Sequence, residues 1–338
     1  MGAVLIERWL GGGDALPIRD DADVAVARAA ARDAAAAAGL DALRGERLAV
    51  VVSELARNQL RHAHAGAIAC RPVARGEVAG LEVVAADRGA GIADPTSALA
   101  GVPRVSGSLG VGLSVVLRQA DEVDFDVRWG AGTCVRARVF ASAVARSEVA
   151  ILGAPDPGEA VSGDDAIAER DGTHLLVSVI DGLGHGPHAR DAALRAVDGL
   201  GRPPWPSVPE LLARCHVTVA GSRGAVASVA RVDLASGRCE HAGVGNVMTR
   251  LYDGDGKVRV LVTLAGTLGT GRLSRRLVGE ELPFAPPRLL VMVSDGITSR
   301  LDLSRDPALL QRHPLVIAHR VVTNHGRGND DTTVLVAR

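Results

Sequence analysis

The stretch VSVIDGLGHG, residues 177–186, ends an apolar run in a carboxylate and passes at once into three glycines and a histidine. Asp-Gly alone makes a turn, because Gly supplies positive φ and Asp bonds its own backbone. The pattern recurs, however. SGDD (162–165) lies one strand earlier, LLVMVSDGITS (289–299) is a second apolar run closing in Asp-Gly, and NDDTTVLV (329–336) sets acids just before the final strand. Carboxylates gathered at the ends of core strands, with a glycine carbonyl, suit hard divalent cations such as Mg²⁺ or Mn²⁺. Held together without a cation, they would repel one another and raise each other's pKa.

The first half of the chain holds a different set. In SELARN (53–58), Glu54 and Asn58 are four residues apart and share one helix face. A solvated polar face is the plain reading of that pair alone. Three further features follow in order: DRGAGI with Asp87, Gly89 and Gly91 at a strand end, GSLGVGL with Gly107, Gly110 and Gly112 opening a helix, and GTCVRARVF with Thr133 leading a strand. Free N–H groups at a helix start hold phosphate well. A lone glycine motif says little, whereas four elements in this order point to a nucleotide site.

Elements able to position these residues are legible. Residues 21–38 read as an Ala-rich helix capped by Asp21 or Asp23 and closed by Gly39, with Val24, Ala27, Ala31 and Ala34 as its stripe. A second helix runs from about 44 to 62 on Leu48, Val51, Val52, Leu55 and Leu60. Residues 81–91 form a strand, 107–121 a loop entering a helix, and 122–140 a hairpin with GAG at its turn. A seam falls at 141–148. Short β runs dominate beyond it, with helices at about 187–199, 208–220 and 307–323 and no internal repeat.

Composition limits the function classes. The 338 residues suit two ordinary domains, and 47% hydrophobic with 23% charged residues makes a globular chain. A net charge of −1 and 2% aromatics argue against nucleic-acid tracking, base stacking and a basic membrane patch. Four scattered cysteines without a CxxC pair read as reduced and buried, and none lies in a phosphate-cradling loop, which argues against a cysteine phosphatase. With no cationic leader region and no apolar run of eighteen residues, the expected location is cytoplasmic.

SELARN, DRGAGI and GSLGVGL, over residues 14–140, resemble the GHKL ATPases in their small serine-kinase and anti-sigma-factor branch, and most closely the switch kinases of the bacterial stressosome. That resemblance implies a GHKL (Bergerat) α/β sandwich over 1–142. It further implies Asn58 on the Mg²⁺ of bound ATP, Glu54 as general base toward a substrate hydroxyl, Asp87 and Thr133 at the adenine, and Gly89, Gly91, Gly107, Gly110 and Gly112 around the nucleotide. A lid over about 93–106 would close on it.

SGDD, DGLGHG, GAVASVARVD, AGVGN, SDG and DDTTV, in order over residues 146–338, resemble the metal-dependent PPM protein phosphatases of the SpoIIE-like subgroup, with the stressosome feedback phosphatase as the nearest pattern. That implies an α-β-β-α sandwich, and so an α+β chain of two domains. By resemblance Asp181 bridges two Mn²⁺ or Mg²⁺ ions and the Gly182 carbonyl completes one of them. Asp295 and Asp330 hold the second, Asp164 is an outer or additional ligand, and Asp331 is the weaker of its pair. His185 is either a proton donor to the leaving alkoxide or a rim histidine. No phosphate-gripping Arg stands upstream of the first acid. The implied whole is a kinase fused to a phosphatase of opposite sense, acting on STAS-domain phosphoproteins or a stressosome scaffold, with an activated phosphatase or sigma-factor regulator as further partners. The alternative is a phosphatase whose first domain only binds ATP or ADP and a partner.

Overall fold

The computed structural model describes residues 8–9, 15–63, 66–100, 112–271 and 277–338. The chain divides into two compact units, Met1–Glu148 and Val149–Arg338.

In the first unit, strands β1 (Leu16–Ile18), β2 (Gly66–Arg75), β3 (Val78–Asp87), β5 (Gly132–Phe140) and β4 (Glu122–Arg128) lie side by side in that order, all antiparallel. Helices α1 (Asp21–Ala37) and α2 (Ala42–His62) pack together and against this sheet, and α3 (Pro95–Ala100) and α4 (Gly112–Gln119) follow β3. The cap of α1 is Asp20, one residue before the expected pair, and its carboxylate accepts from the N–H groups of Ala22 and Asp23. The buried stripe is Val24, Ala27, Ala31 and Ala35, so the expected Ala34 sits one place off. On α2, Leu48, Val51, Val52 and Leu55 are buried as expected, but Leu60 is only half-buried and its neighbour Gln59 is inside.

The second unit is a four-layer sandwich. One sheet runs β6 (Val149–Ala154), β15 (Thr332–Ala337), β14 (Leu289–Val293), β11 (Met248–Tyr252), β12 (Val258–Leu261). The other runs β13 (Glu280–Pro283), β10 (Arg238–Val244), β9 (Ala225–Asp233), β8 (His174–Gly182), β7 (Asp164–Asp171). Alternation along β8 shows how both faces are filled. Val177 and Val179 face Ile151, Met292 and Leu335 between the sheets, while Leu176 and Ile180 face the helices α5 (Gly186–Leu200) and α6 (Val208–Thr218). Each such side chain contributes roughly 1.5–3 kcal/mol by leaving water.

The remaining helical region is two pieces, α7 (Pro307–Leu310) and α8 (Pro314–His325), where the sequence pattern reads as one. Pro314 disfavours helical backbone at the residue before it and suits a first turn, so the helix restarts there. α8 packs on β6 and β15. The two sheets are also pinned by a polar bridge: Ser228 Oγ lies 2.8 Å from His241 Nε2 and 2.7 Å from Thr249 Oγ1. Burial pushes His241 down to about 4, so this histidine is a neutral structural group.

Among the described residues no helix is long and apolar enough to cross a membrane. The four cysteines are free thiols. Burial holds Cys215 and Cys239 up at about 12, so both stay protonated and inert.

Candidate functional site

In the first unit a cavity of about 230 Å³ opens between α2, the end of β3, the segment 89–98 and the start of α4. Asn58, Asp87, Gly89, Gly91, Gly112 and Thr133 all line it. β3 runs into Asp87, whose Oδ1 accepts from Gly89 N at 2.8 Å and from Thr133 N at 3.2 Å. Burial raises the Asp87 pKa, and these two donors oppose the rise.

Close approach explains several glycines. A Cβ on Gly112 would lie 2.9 Å from Asn58 Oδ1 and 3.2 Å from Glu54 Oε2, so both polar ends of SELARN converge on the first residue of α4. Glu54 also pairs with Arg57 at 3.2 Å. Gly107 and Gly110, and part of the expected lid, lie outside the described residues.

Two residues that the motifs did not single out hold this cavity together. Gln59, 2% exposed, donates from Nε2 to the carbonyls of Ala67 and Ala86, each at 3.1 Å, and so ties α2 to β2 and β3. A Cβ on Gly132 would stand 2.1 Å from the Asp87 carbonyl oxygen, so only glycine lets the hairpin run this close under Asp87. The GAG turn was the available signal for Gly132. For Gln59 the signal was a polar residue inside an apolar stripe.

In the second unit the acids stand where strands end. β7 and β8 pair so that Asp164 is directly opposite Asp181. Strand alternation then sends Asp165 to the other face, toward Arg190 of α5 at 3.4 Å. Arg190 also donates to the Asp164 carbonyl at 2.8 Å. Asp295 follows β14, accepts from Asn246 Nδ2 at 3.0 Å and raises the Asp181 pKa by its charge. Asp330 precedes β15 and adds its charge to the same group.

Among the described residues no three His, Cys, Asp or Glu side chains already form a closed ligand cluster. The convergence is pairwise. Its electrostatics are nonetheless pronounced: burial first, and the neighbouring carboxylates next, push Asp181 far above the usual carboxylate range. Burial likewise raises Asp164 and Asp330, with Asp331 acting on the first and Asp295 on the second. Asp164 Oδ2 is buried with no hydrogen-bond partner. An orphaned carboxylate oxygen beside further carboxylates fits a divalent cation, whose charge would offset what burial costs.

Asp331, next to Asp330, is engaged otherwise. Its two oxygens accept from the N–H groups of Asp156, at 2.9 Å, and Gly163, at 2.8 Å, so it fastens the loop before β7. Gly182 packs as tightly as any residue here, since a Cβ would stand 2.0 Å from the Ala189 carbonyl oxygen of α5. His185 caps α5 without a side-chain bond to it. It is 68% exposed, and its Nδ1 lies 2.6 Å from Glu159 Oε1, which raises its pKa.

Residues 18–139 match the histidine kinase-like ATPase domain family, and residues 171–338 match the stage II sporulation protein E (SpoIIE) family. Serine/threonine-protein kinase RsbT of Bacillus subtilis (strain 168) is 35% identical over 115 residues, which cover 34% of this chain and 86% of that protein. The chain belongs to the histidine kinase-like ATPase family, with a SpoIIE domain behind it. Phosphoserine phosphatase RsbX of the same organism is 26% identical over 111 residues, 33% of this chain, and the match spans only 56% of that protein's length. A crystal structure of RsbX in complex with magnesium shares the fold, with a TM-score of 0.50 at 20% identity over 56% of this chain and 94% of that one. A solved structure described as the bacterial stressosome, a modular system adapted to control secondary messenger signaling, gives a TM-score of 0.52 at 28% identity, covering 57% of this chain and 99% of that one. A kinase-like ATPase domain and a PPM-type phosphatase domain thus share one chain.

Proposed function

We propose that this protein is a bifunctional signalling enzyme. Its first domain transfers phosphate from ATP to a serine or threonine of a STAS-domain or stressosome scaffold protein, and its second domain hydrolyses such a phosphoester. The observation that carries the reading is the pair of opposed acids, Asp164 and Asp181, buried and charge-stressed at the ends of neighbouring strands, with one oxygen unsatisfied.

In the second domain, Asp181 and the Gly182 carbonyl, Asp164, Asp295 and Asp330 would hold two Mg²⁺ or Mn²⁺ ions. Bound there, the ions supply charge for an in-line displacement at phosphorus and acidify a water. The chain's own part is positional. The β7–β8 register fixes Asp164 against Asp181, Asn246 orients Asp295, and Asp331 holds the loop that delivers Asp164. His185, exposed and raised by Glu159, would give a proton to a leaving alkoxide.

In the first domain, Asp87 would receive the adenine amino group inside the cavity, with Thr133 beside it. Asn58 would meet the Mg²⁺ of ATP, and Glu54 would take the proton of the substrate hydroxyl. Phosphoryl transfer needs mainly position and charge neutralisation, and both residues already flank the α4 start.

Two assays test this. Metal-dependent hydrolysis of p-nitrophenyl phosphate should vanish in Asp181→Asn. Transfer of labelled phosphate from ATP to a purified STAS-domain protein should vanish in Glu54→Gln while nucleotide binding persists. Tight ATP binding with no transfer by the wild type to any STAS protein tested would remove the kinase half of the proposal.

A further inference from the structure

The strand-end acids account for metal but leave the substrate's phosphate without a protein cation. Arg190 is spent on Asp164 and Asp165. The loop between α6 and β9 offers another. Its Gly224 carbonyl accepts from Leu183 N at 3.0 Å, which fastens this loop to the DGLGHG turn. Ser222 Oγ accepts from Gly224 N at 3.1 Å and donates to the Val219 carbonyl at 2.6 Å, so the loop has internal support.

Between these anchors stands Arg223, exposed, and no hydrogen bond or ion pair engages its side chain among the described residues. Its Nη1 would lie 2.9 Å from a Cβ built on Gly184, so the guanidinium sits directly over that glycine. The Gly184 carbonyl in turn lies 3.3 Å from a Cβ built on Gly163, the residue that leads into Asp164 and whose N–H is held by Asp331. Gly184 is also three residues beyond Asp181, at most about 11 Å along the chain. A guanidinium presents a rigid fork of donors that fits two phosphoryl oxygens at once.

We propose that Arg223 grips the phosphate of the substrate: its guanidinium, held over Gly184, binds phosphoryl oxygens at the edge of the strand-end acids. The inference rests on the phosphatase reading above and assigns the substrate-binding group that reading lacks.

The test is calorimetric binding of inorganic phosphate in Mg²⁺ buffer to wild type, Arg223→Ala and Arg223→Lys, with the rate of p-nitrophenyl phosphate hydrolysis alongside. A charged hydrogen bond of ordinary strength predicts about a ten-fold or larger weakening of phosphate affinity in Arg223→Ala, with a matching rise in KM. Arg223→Lys should recover part of the affinity, as a point charge without the fork. Mg²⁺ affinity measured without phosphate, and the melting temperature, should not move. Phosphate affinity unchanged in Arg223→Ala would overturn the assignment, even if KM for a phosphoprotein rose, because that result marks a protein-docking contact. Wild type that binds phosphate yet hydrolyses nothing would count against the phosphatase reading, while loss of that binding in Arg223→Ala would still support the grip.

Discussion

Replacing one buried carboxyl of the second unit by an amide should stabilise it and silence it together. Burial raises the pKa values of Asp181 and Asp164, and neighbouring carboxylates (Asp164 on Asp181, Asp331 on Asp164) raise them further, so the folded state keeps protons that the unfolded chain loses near pH 4. Where the native state binds more protons, stability falls as pH rises. The penalty begins near the unfolded value, about pH 4, and grows up through neutrality as long as the folded carboxyl stays protonated. One such group costs about 1.4 kcal/mol for each pH unit, or about 3–5 °C of melting temperature in a unit of this size. Chelator-treated protein should therefore melt at progressively lower temperature from pH 5 to pH 8 in the transition belonging to the second unit. Asp181→Asn keeps the shape and cannot ionise. It should flatten much of that slope and melt higher at pH 8, while losing metal-dependent phosphatase activity. Mg²⁺ should reverse the trend in wild type, because ligand carboxylates bind it only when deprotonated. Differential scanning calorimetry across pH, with and without Mg²⁺, reads all of this. A wild-type transition that rises from pH 5 to pH 8 in chelator, or an Asp181→Asn protein less stable than wild type at pH 8, would refute the reasoning.

Three further outcomes are expected. Gln59→Leu leaves the Ala67 and Ala86 carbonyls without their shared donor and should cost the first unit about 2–4 kcal/mol, read by urea denaturation of its transition. Asp87→Ala should weaken ATP binding at least ten-fold by calorimetry, since it removes a charged acceptor and the anchor of the Gly89 and Thr133 N–H groups. Gly182→Ala drives a methyl group into the Ala189 carbonyl and should lower the melting temperature of the second unit and weaken its Mg²⁺ affinity together. A spared Mg²⁺ affinity would show that the Gly182 carbonyl is no ligand.

Much of this molecule could be read from its residues, for identifiable reasons. Acids at strand ends are legible because apolar alternation marks each strand and Asp-Gly marks its end. The helix pair α1–α2 shows itself by its 3.6-residue period. Reading failed where a side chain acts across the fold. Gln59 looks like a break in a stripe, although its amide belongs between two strands. Asp331 ranks as the weaker ligand beside Asp330, but the loop it ties is not legible from the sequence. The split at Pro314 was visible in the sequence, but the apolar pattern continues through it. Arg223 is forty-two residues from Asp181 in the chain, and only the pairing of two loops brings it over Gly184.

The β7–β8 ladder is also a ruler. Its rungs run from Asp171 opposite His174, at a tight turn, to Asp164 opposite Asp181 at the far end. Seven steps of about 3.4 Å set the turn and the acids roughly 24 Å apart. Nothing at the turn touches the acids, yet its length decides which residues face each other there. One residue inserted into β7 would slide Asp165 opposite Asp181 and swing Asp164 to the helix side. A second insertion would restore the facing but move Asp164 two rungs along. The position of the acids is thus counted out from a surface turn, and a change of length there would alter the chemistry without altering any residue that performs it.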